Sequence, residues 1–273
     1  MSRFPWVLAL VLAAGCATAP PPQKPEDLWA AYAEAVTIAQ YPEQARVSRN
    51  LEPILRTNPA LRWDDQGRVL MASWTKKKYY DGKVGQPYTL PQGVTLWVTA
   101  VPYLQNDCRA WGLSPGALPL RIAQMLGMPP PSEGGNDSFV QMWIDPATFF
   151  RPCPDPEIGD QECQVNLNGE PVDRSGDCPW SRDQVSGAFV KVSDDHLDWM
   201  CHNWKDTYTG DPKTSYPWTA LGYTFDWADL LHPRGQSEYV VPPGTTVWIE
   251  GIATAAEYCG RALPGSAGVP PAR

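Results

Sequence analysis

Residues 236–252 read QSEYVVPPGTTVWIEGI. In the second half Val247 and Ile249 alternate with Thr246, Trp248 and Glu250, the period of two that sends successive side chains to opposite faces of a strand. Pro242, Pro243 and Gly244 interrupt the apolar run, so the segment predicts two strands about a Pro-Pro-Gly turn. The same alternation recurs at residues 94–100 (VTLWVTA) and 137–145 (DSFVQMWID). Residues 61–75 (LRWDDQGRVLMASWT) predict a hairpin turning at Asp-Gln-Gly. Helical spacing appears elsewhere. Residues 25–40 (PEDLWAAYAEAVTIAQ) place Leu28, Tyr32 and Ala35 on one side, a short helix is expected around residues 47–55, and residues 118–127 form a helix stopped by Gly127 and Pro129. Residues 193–208 (SDDHLDWMCHNWKDTY) offer Ser193 as N-cap, with acidic side chains in the first turn where the helix dipole favours them. Strands and helices mix without a regular βαβ alternation. The expected fold is α+β, a largely antiparallel sheet with flanking helices.

Between these elements, residues 151–187 form a long irregular stretch holding Cys153, Cys163 and Cys178. Irregular segments of that length usually need a function or a crosslink. Cys108, Cys201 and Cys259 bring the disulfide candidates to an even six, with fifteen pairings open. Their spacing does not fit zinc-binding patterns. The formal net charge is −8, and a chain this acidic repels phosphate backbones, which argues against nucleic acid as a partner.

At the amino end Arg3 precedes an apolar run at residues 7–14 (VLALVLAA), closed by Gly15-Cys16. The run falls short of the about 20 residues a membrane span needs, and suits a signal peptide. LAAGC resembles the lipobox of bacterial lipoproteins, with Ala13 where leucine is usual. The resemblance implies a signal peptide at residues 1–15 and diacylglycerol on Cys16. Ala17, where an inner-membrane lipoprotein has Asp, further implies the outer membrane, facing the periplasm, if the host has two membranes. Two or three acyl chains hold a protein stably, at about 0.8 kcal/mol per buried methylene. Residues 16–25 then form the lipidated cysteine and a Pro-rich tether, residues 26–259 a single domain, and residues 260–273 a disordered Gly/Pro/Ala-rich tail. The mature chain carries 21 basic against 30 acidic residues, one step more acidic for the loss of Arg3.

Several groups of residues invite a chemical reading. Gly112-Leu113-Ser114-Pro115-Gly116 matches GxSxG, but the residue after the serine is proline, which has no N–H for an oxyanion hole, so a turn is expected. Asp195, Asp198 and His202 fall at i, i+3 and i+7 and share a helix face that could hold a metal or pair an acid with a base. Leu197, Met200, Cys201 and Trp204 lie roughly opposite, which puts the Asp/His face toward water. Asp155, Glu157, Asp160 and Glu162 crowd between Cys153 and Cys163. Hard carboxylate oxygens on a constrained loop suit calcium, although the spacing is not that of an EF-hand, and a solvated acidic loop is the plainer expectation. No cofactor is implied.

Tryptophan is unusually frequent, at 13 residues. Trp97, Trp143 and Trp248 sit on the more polar face of their strands, opposite Val94/Leu96/Val98, Val140/Met142/Ile144 and Val247/Ile249. They are either a second core layer under helices or an exposed platform for sugar rings, of which burial is the commoner state.

Gln236-Ser237-Glu238 and the turn after it resemble the QxE strand of mono-ADP-ribosyltransferases. That resemblance implies that Glu238 orients the ribose of NAD. The family's earlier arginine or histidine strand and its Ser-Thr-Ser strand are not identifiable here. Residues 151–158 (RPCPDPEI) and 216–227 (YPWTALGYTFDW) resemble stretches of uncharacterised bacterial proteins, which supports a distinct domain over about residues 60–259 and brings no activity. The expectation from sequence is an envelope lipoprotein with a non-catalytic domain that binds a protein partner or cell-wall glycan. The alternative is an enzyme using Glu238 or the Asp195/Asp198/His202 face.

Overall fold

The computed structural model describes residues 24–165 and 193–260. Helix α1 (Pro25–Ala39) begins on the proline, whose missing N–H is no loss in a first helical turn, with Glu26 and Asp27 beside it. Tyr32, Ala35, Val36 and Ala39 recur at helical spacing and are its buried side. They pack on Phe225 and Trp227.

Six strands form the main sheet: β1 (Val69–Thr75), β2 (Pro87–Thr89), β3 (Leu96–Ala100), β4 (Ser138–Ile144), β7 (Tyr239–Val241) and β8 (Thr246–Thr254). Their order is β2-β8-β4-β1-β3-β7, and every neighbouring pair is antiparallel. Two further strands among the described residues, β5 (Tyr223–Phe225) and β6 (Arg234–Ser237), make a separate antiparallel pair. The architecture is α+β, as the mixture of periodicities predicts.

The turn at Pro242-Pro243-Gly244 joins two strands that do not pair with each other. In a flat sheet of this register the end of β7 and the start of β8 would stand four strands apart and at opposite ends, roughly 30 Å away. The link between Val241 and Thr246 reaches at most about 18 Å. The sheet must therefore twist and roll up. The inner side of that roll is one cluster to which every strand contributes, including Val69, Met71, Val98, Val140, Met142, Ile144, Tyr239, Val241, Val247 and Ile249, with Tyr88 of β2 packed against it. On the outer side Leu70, Ala72, Phe139 and Ala253 meet helices α2 (Tyr103–Ala110), α3 (Leu118–Met125) and α5 (Ala255–Gly260). Layers on both faces explain why all seven residues of β4 are buried.

Cys108 and Cys259 are disulfide-bonded and join α2 to α5, with Cα atoms 5.4 Å apart. Cys153 and Cys163 close the loop between them at 6.4 Å. Cys201 is also disulfide-bonded, and Cys178 lies outside the described residues. So do Cys16, the tether before Lys24, the tail after Gly260 and the latter part of the irregular stretch.

The structure corrects several local expectations. Residues 47–55 are not a helix. One 3-10 turn spans Gln44–Arg46, after which the chain runs extended, Leu51 and Ile54 donating their N–H groups to the carbonyls of Gln161 and Ile158. The apolar spacing of Val47, Leu51 and Ile54 imitates a helix, but Pro53 has no N–H to give one. The hairpin at residues 61–75 keeps its Asp64–Gly67 turn, but its first arm is a single bridge, Trp63 to Val69. Val94 is exposed, and β3 starts at Leu96. Pro25 belongs to α1 rather than the tether, and Gly260 to α5 rather than the tail. Helix α2 and strand β2 had no counterpart in the sequence reading.

Candidate functional site

Glu238 stands between β6 and β7, where the chain leaves the two-stranded sheet, with Ser237 opposite Tyr223, and enters the main one, with Tyr239 opposite Val98. Its N–H donates to the Gly222 carbonyl at 3.1 Å. Gly222 has φ +79°, and a Cβ there would lie 2.6 Å from Arg151 Cδ, so only glycine fits this crossing. The Glu238 residue is 6 % exposed, and its Oε1 has no hydrogen-bond partner. Tyr208, Tyr216 and Tyr223 are close enough for a charge on Glu238 to raise their pKa values. Two of these hydroxyls are committed elsewhere, Tyr208 to the Trp218 carbonyl at 2.5 Å and Tyr223 to the Arg46 carbonyl at 2.7 Å. Burial alone pushes the carboxyl up to about 8, so at neutral pH it holds its proton.

Gln236 does not share that environment. Its amide donates to Asp107 Oδ2 of α2 at 2.5 Å and its backbone N–H to Thr224 Oγ1 at 2.9 Å. The two QxE residues are therefore held by different surroundings, one polar and one aromatic.

Helix α4 (Asp194–Thr207) is capped by Ser193, whose hydroxyl accepts from the His196 N–H. Asp195, Asp198 and His202 all lie on its exposed side. His202 is 77 % exposed at the side chain and contacts Asp206 at 3.2 Å. Met200 is fully buried, with Leu197 and Trp204 packed beside it. His196 turns inward, its Nε2 at 2.8 Å from the Cys153 carbonyl, and burial lowers its pKa. Ser114 of the GxSxG stretch follows a helix rather than a strand, in a turn where its carbonyl accepts from the Ala117 N–H.

In the disulfide-closed loop, carboxylate oxygens of Asp155, Glu157 and Asp160 lie within 4.8 Å of one another. Glu162 is not part of that group and pairs with Arg49 at 3.4 Å. Burial raises the Asp155 pKa, and neighbouring Asp160 and Glu157 raise it further. Arg151, a fully buried side chain, contacts Asp160 Oδ1 and donates to the carbonyls of Asp160 at 2.8 Å and Glu162 at 3.2 Å. Nothing in the sequence distinguishes this arginine from an exposed one.

The three strand tryptophans share the outer face of the sheet but not one cluster. Trp97 packs edge-on to Tyr216 and Trp218. Trp143 and Trp248 are cross-strand partners on β4 and β8. Trp143 is 9 % exposed and donates its indole N–H to Glu250 Oε2 at 2.7 Å, while Trp248 is half-buried. Arg62 lies 5.9 Å from the Trp143 ring centre, and Arg68 lies 5.4 Å from that of Trp248 and pairs with Asp64 at 2.6 Å. A second arginine arrangement was not foreseen: Arg121 stacks on Trp111 at 4.7 Å and grips both oxygens of Asp226, at 2.9 and 2.6 Å.

No family model, curated protein or solved structure matches this chain.

Proposed function

We propose that the protein is an exported, lipid-anchored envelope protein whose domain binds cell-wall glycan at the half-buried Trp248 of β8, without transforming it. The carrying observation is half-buried Trp248 with Arg68 beside its ring, next to the Glu250 carboxylate that holds its buried cross-strand partner Trp143. An indole face offers an apolar, electron-rich plane to sugar C–H groups, and guanidinium and carboxylate groups offer partners to hydroxyls. The anchor rests on the LAAGC stretch at Cys16. No helix among the described residues is long and apolar enough to cross a membrane.

The test is titration of the full chain, in detergent, with soluble cell-wall glycan fragments, followed by tryptophan fluorescence. Trp248→Ala is expected to weaken binding at least tenfold with an unchanged circular dichroism spectrum. Absence of binding by the native chain, or equal affinity in the variant, would overturn the glycan reading.

A second reading takes Glu238 as the acid of the QxE-like strand; it requires the carboxyl, buried among tyrosines, to be opened to NAD. On that reading the chain breaks the nicotinamide–ribose bond of NAD, passes the ADP-ribosyl group to an acceptor nucleophile, or to water when none is supplied, and releases nicotinamide and a proton. Incubation with NAD and chromatography for nicotinamide decides it, and no release above a Glu238→Gln control ends it.

A further inference from the structure

We propose that the Cys153–Cys163 loop binds one calcium ion through Asp155, Glu157 and Asp160. Two oxygens bound to the same calcium, each at 2.3–2.6 Å, stand at most about 5 Å apart. The three carboxylates meet that limit already, with ligand oxygens all within 4.8 Å.

The loop is held in this shape from several sides. Its ends are joined by the disulfide, Pro154 and Pro156 flank Asp155, and the carbonyls of Ile158 and Gln161 accept from the extended strand of chain at Ile54 and Leu51. A preformed loop spares a cation the cost of ordering its ligands.

Asp155 supplies the independent sign of a ligand. The residue is fully buried, and although Oδ1 accepts from the Glu157 N–H at 3.2 Å, Oδ2 has no hydrogen-bond partner. The Gln164 N–H lies near enough to the carboxylate to lower its pKa but makes no hydrogen bond of normal geometry to Oδ2; a carboxylate oxygen so poorly matched and withdrawn from water is costly, and a cation is the partner it lacks. Charge counting agrees. Arg151 on Asp160 offsets one of three negative charges and leaves two, the number a divalent ion neutralises. The chemistry selects a hard ion: both cysteines are disulfide-bonded, and the nearby His196 Nε2 is engaged by the Cys153 carbonyl. Three carboxylates with room for water suit calcium's irregular shell better than magnesium's octahedron.

The experiment is isothermal titration calorimetry of the full, oxidised chain after EGTA treatment, with calcium chloride and then magnesium chloride. One calcium per chain is expected, with a Kd of roughly 10⁻⁴–10⁻³ M, the range of modules working outside the cytoplasm. At a hundredfold excess over Kd, calcium should raise the thermal midpoint by roughly 5 °C. Glu157→Gln, at an exposed position, leaves the fold intact and should weaken binding at least tenfold; Asp155→Asn should abolish it. No calcium heat up to 10-fold above that range (about 10⁻² M), preference for magnesium, or unchanged affinity in folded Glu157→Gln would each overturn the site.

Discussion

Replacing Glu238 by glutamine should change how stability depends on pH. In the folded chain the carboxyl is pushed up to about 8 by burial, against an ordinary value of 4.5. Below pH 4.5 folded and unfolded chains both carry the proton. Between 4.5 and about 8 only the folded chain does, so the unfolded state binds fewer protons and stability falls as pH rises through that window. Each pH unit in which the two states differ by one proton is worth about 1.4 kcal/mol. Across the window Glu238 therefore costs the fold roughly 4–5 kcal/mol. Glutamine has no proton to lose. Its amide leaves a donor unpaired in an aromatic site, a cost of about 1–3 kcal/mol that does not vary with pH. The slope is thus the observable. Urea unfolding of the native chain and Glu238→Gln at pH 5, 6, 7 and 8 should show the variant gaining steadily on the native chain. Carboxylates common to both chains, Asp155 among them, cancel in the difference. A stability difference constant from pH 5 to 8 would refute the placement of Glu238 in a dry site.

Three further outcomes are expected. Cys108→Ser unties α2 from α5 across 151 residues of sequence and should cost about 2–5 kcal/mol in urea unfolding; a loss below 1 kcal/mol (roughly the noise of surface changes) would mean the helices hold without the bond. Gly222→Ala forces a side chain into a φ of +79° and against Arg151 and Leu51. It should destabilise by about 2 kcal/mol or more, read as a lower thermal midpoint, and a neutral result would contradict the close crossing. On the proposed lipid anchor, Cys16→Ser should leave the circular dichroism unchanged and shift the protein from the membrane to the soluble fraction; continued membrane association would contradict the proposal.

The fold was legible where a pattern was both strong and locally sufficient. Strand β4 alternates over seven residues and β8 from Thr246 to Ile249, before a bulge at Glu250 shifts its phase, and α4 carries a capping serine, an acidic first turn and a buried Met200. Short elements escaped: β2 has three residues and exists because β8 pairs with it, more than 150 positions later. Helix α2 begins directly after Pro102, and its buried stripe is only Leu104, Gln105 and Cys108. At residues 47–55 the apolar spacing favoured a helix, and the competing partner, the carbonyls of Ile158 and Gln161, is remote in sequence. The candidate sites divide in the same way. Alternation placed Trp97, Trp143 and Trp248 on one face, but which neighbours each would meet depended on the roll of the sheet. The acidic loop gave four carboxylates, and only the folded loop separates Glu162, turned to Arg49, from the three that converge.

The position of β8 sets the order in which the molecule can be finished during synthesis. It is the last made of the described strands, yet it lies between β2 and β4. Until residue 254 has emerged, the strands on either side of that gap each present an unpaired edge, and their apolar inner surfaces have no lid. Such edges invite pairing with other chains. An incomplete chain of this design is therefore a hazard to its neighbours, and a carboxy-terminal truncation that removes β8 should be recovered as aggregate rather than as a smaller soluble domain.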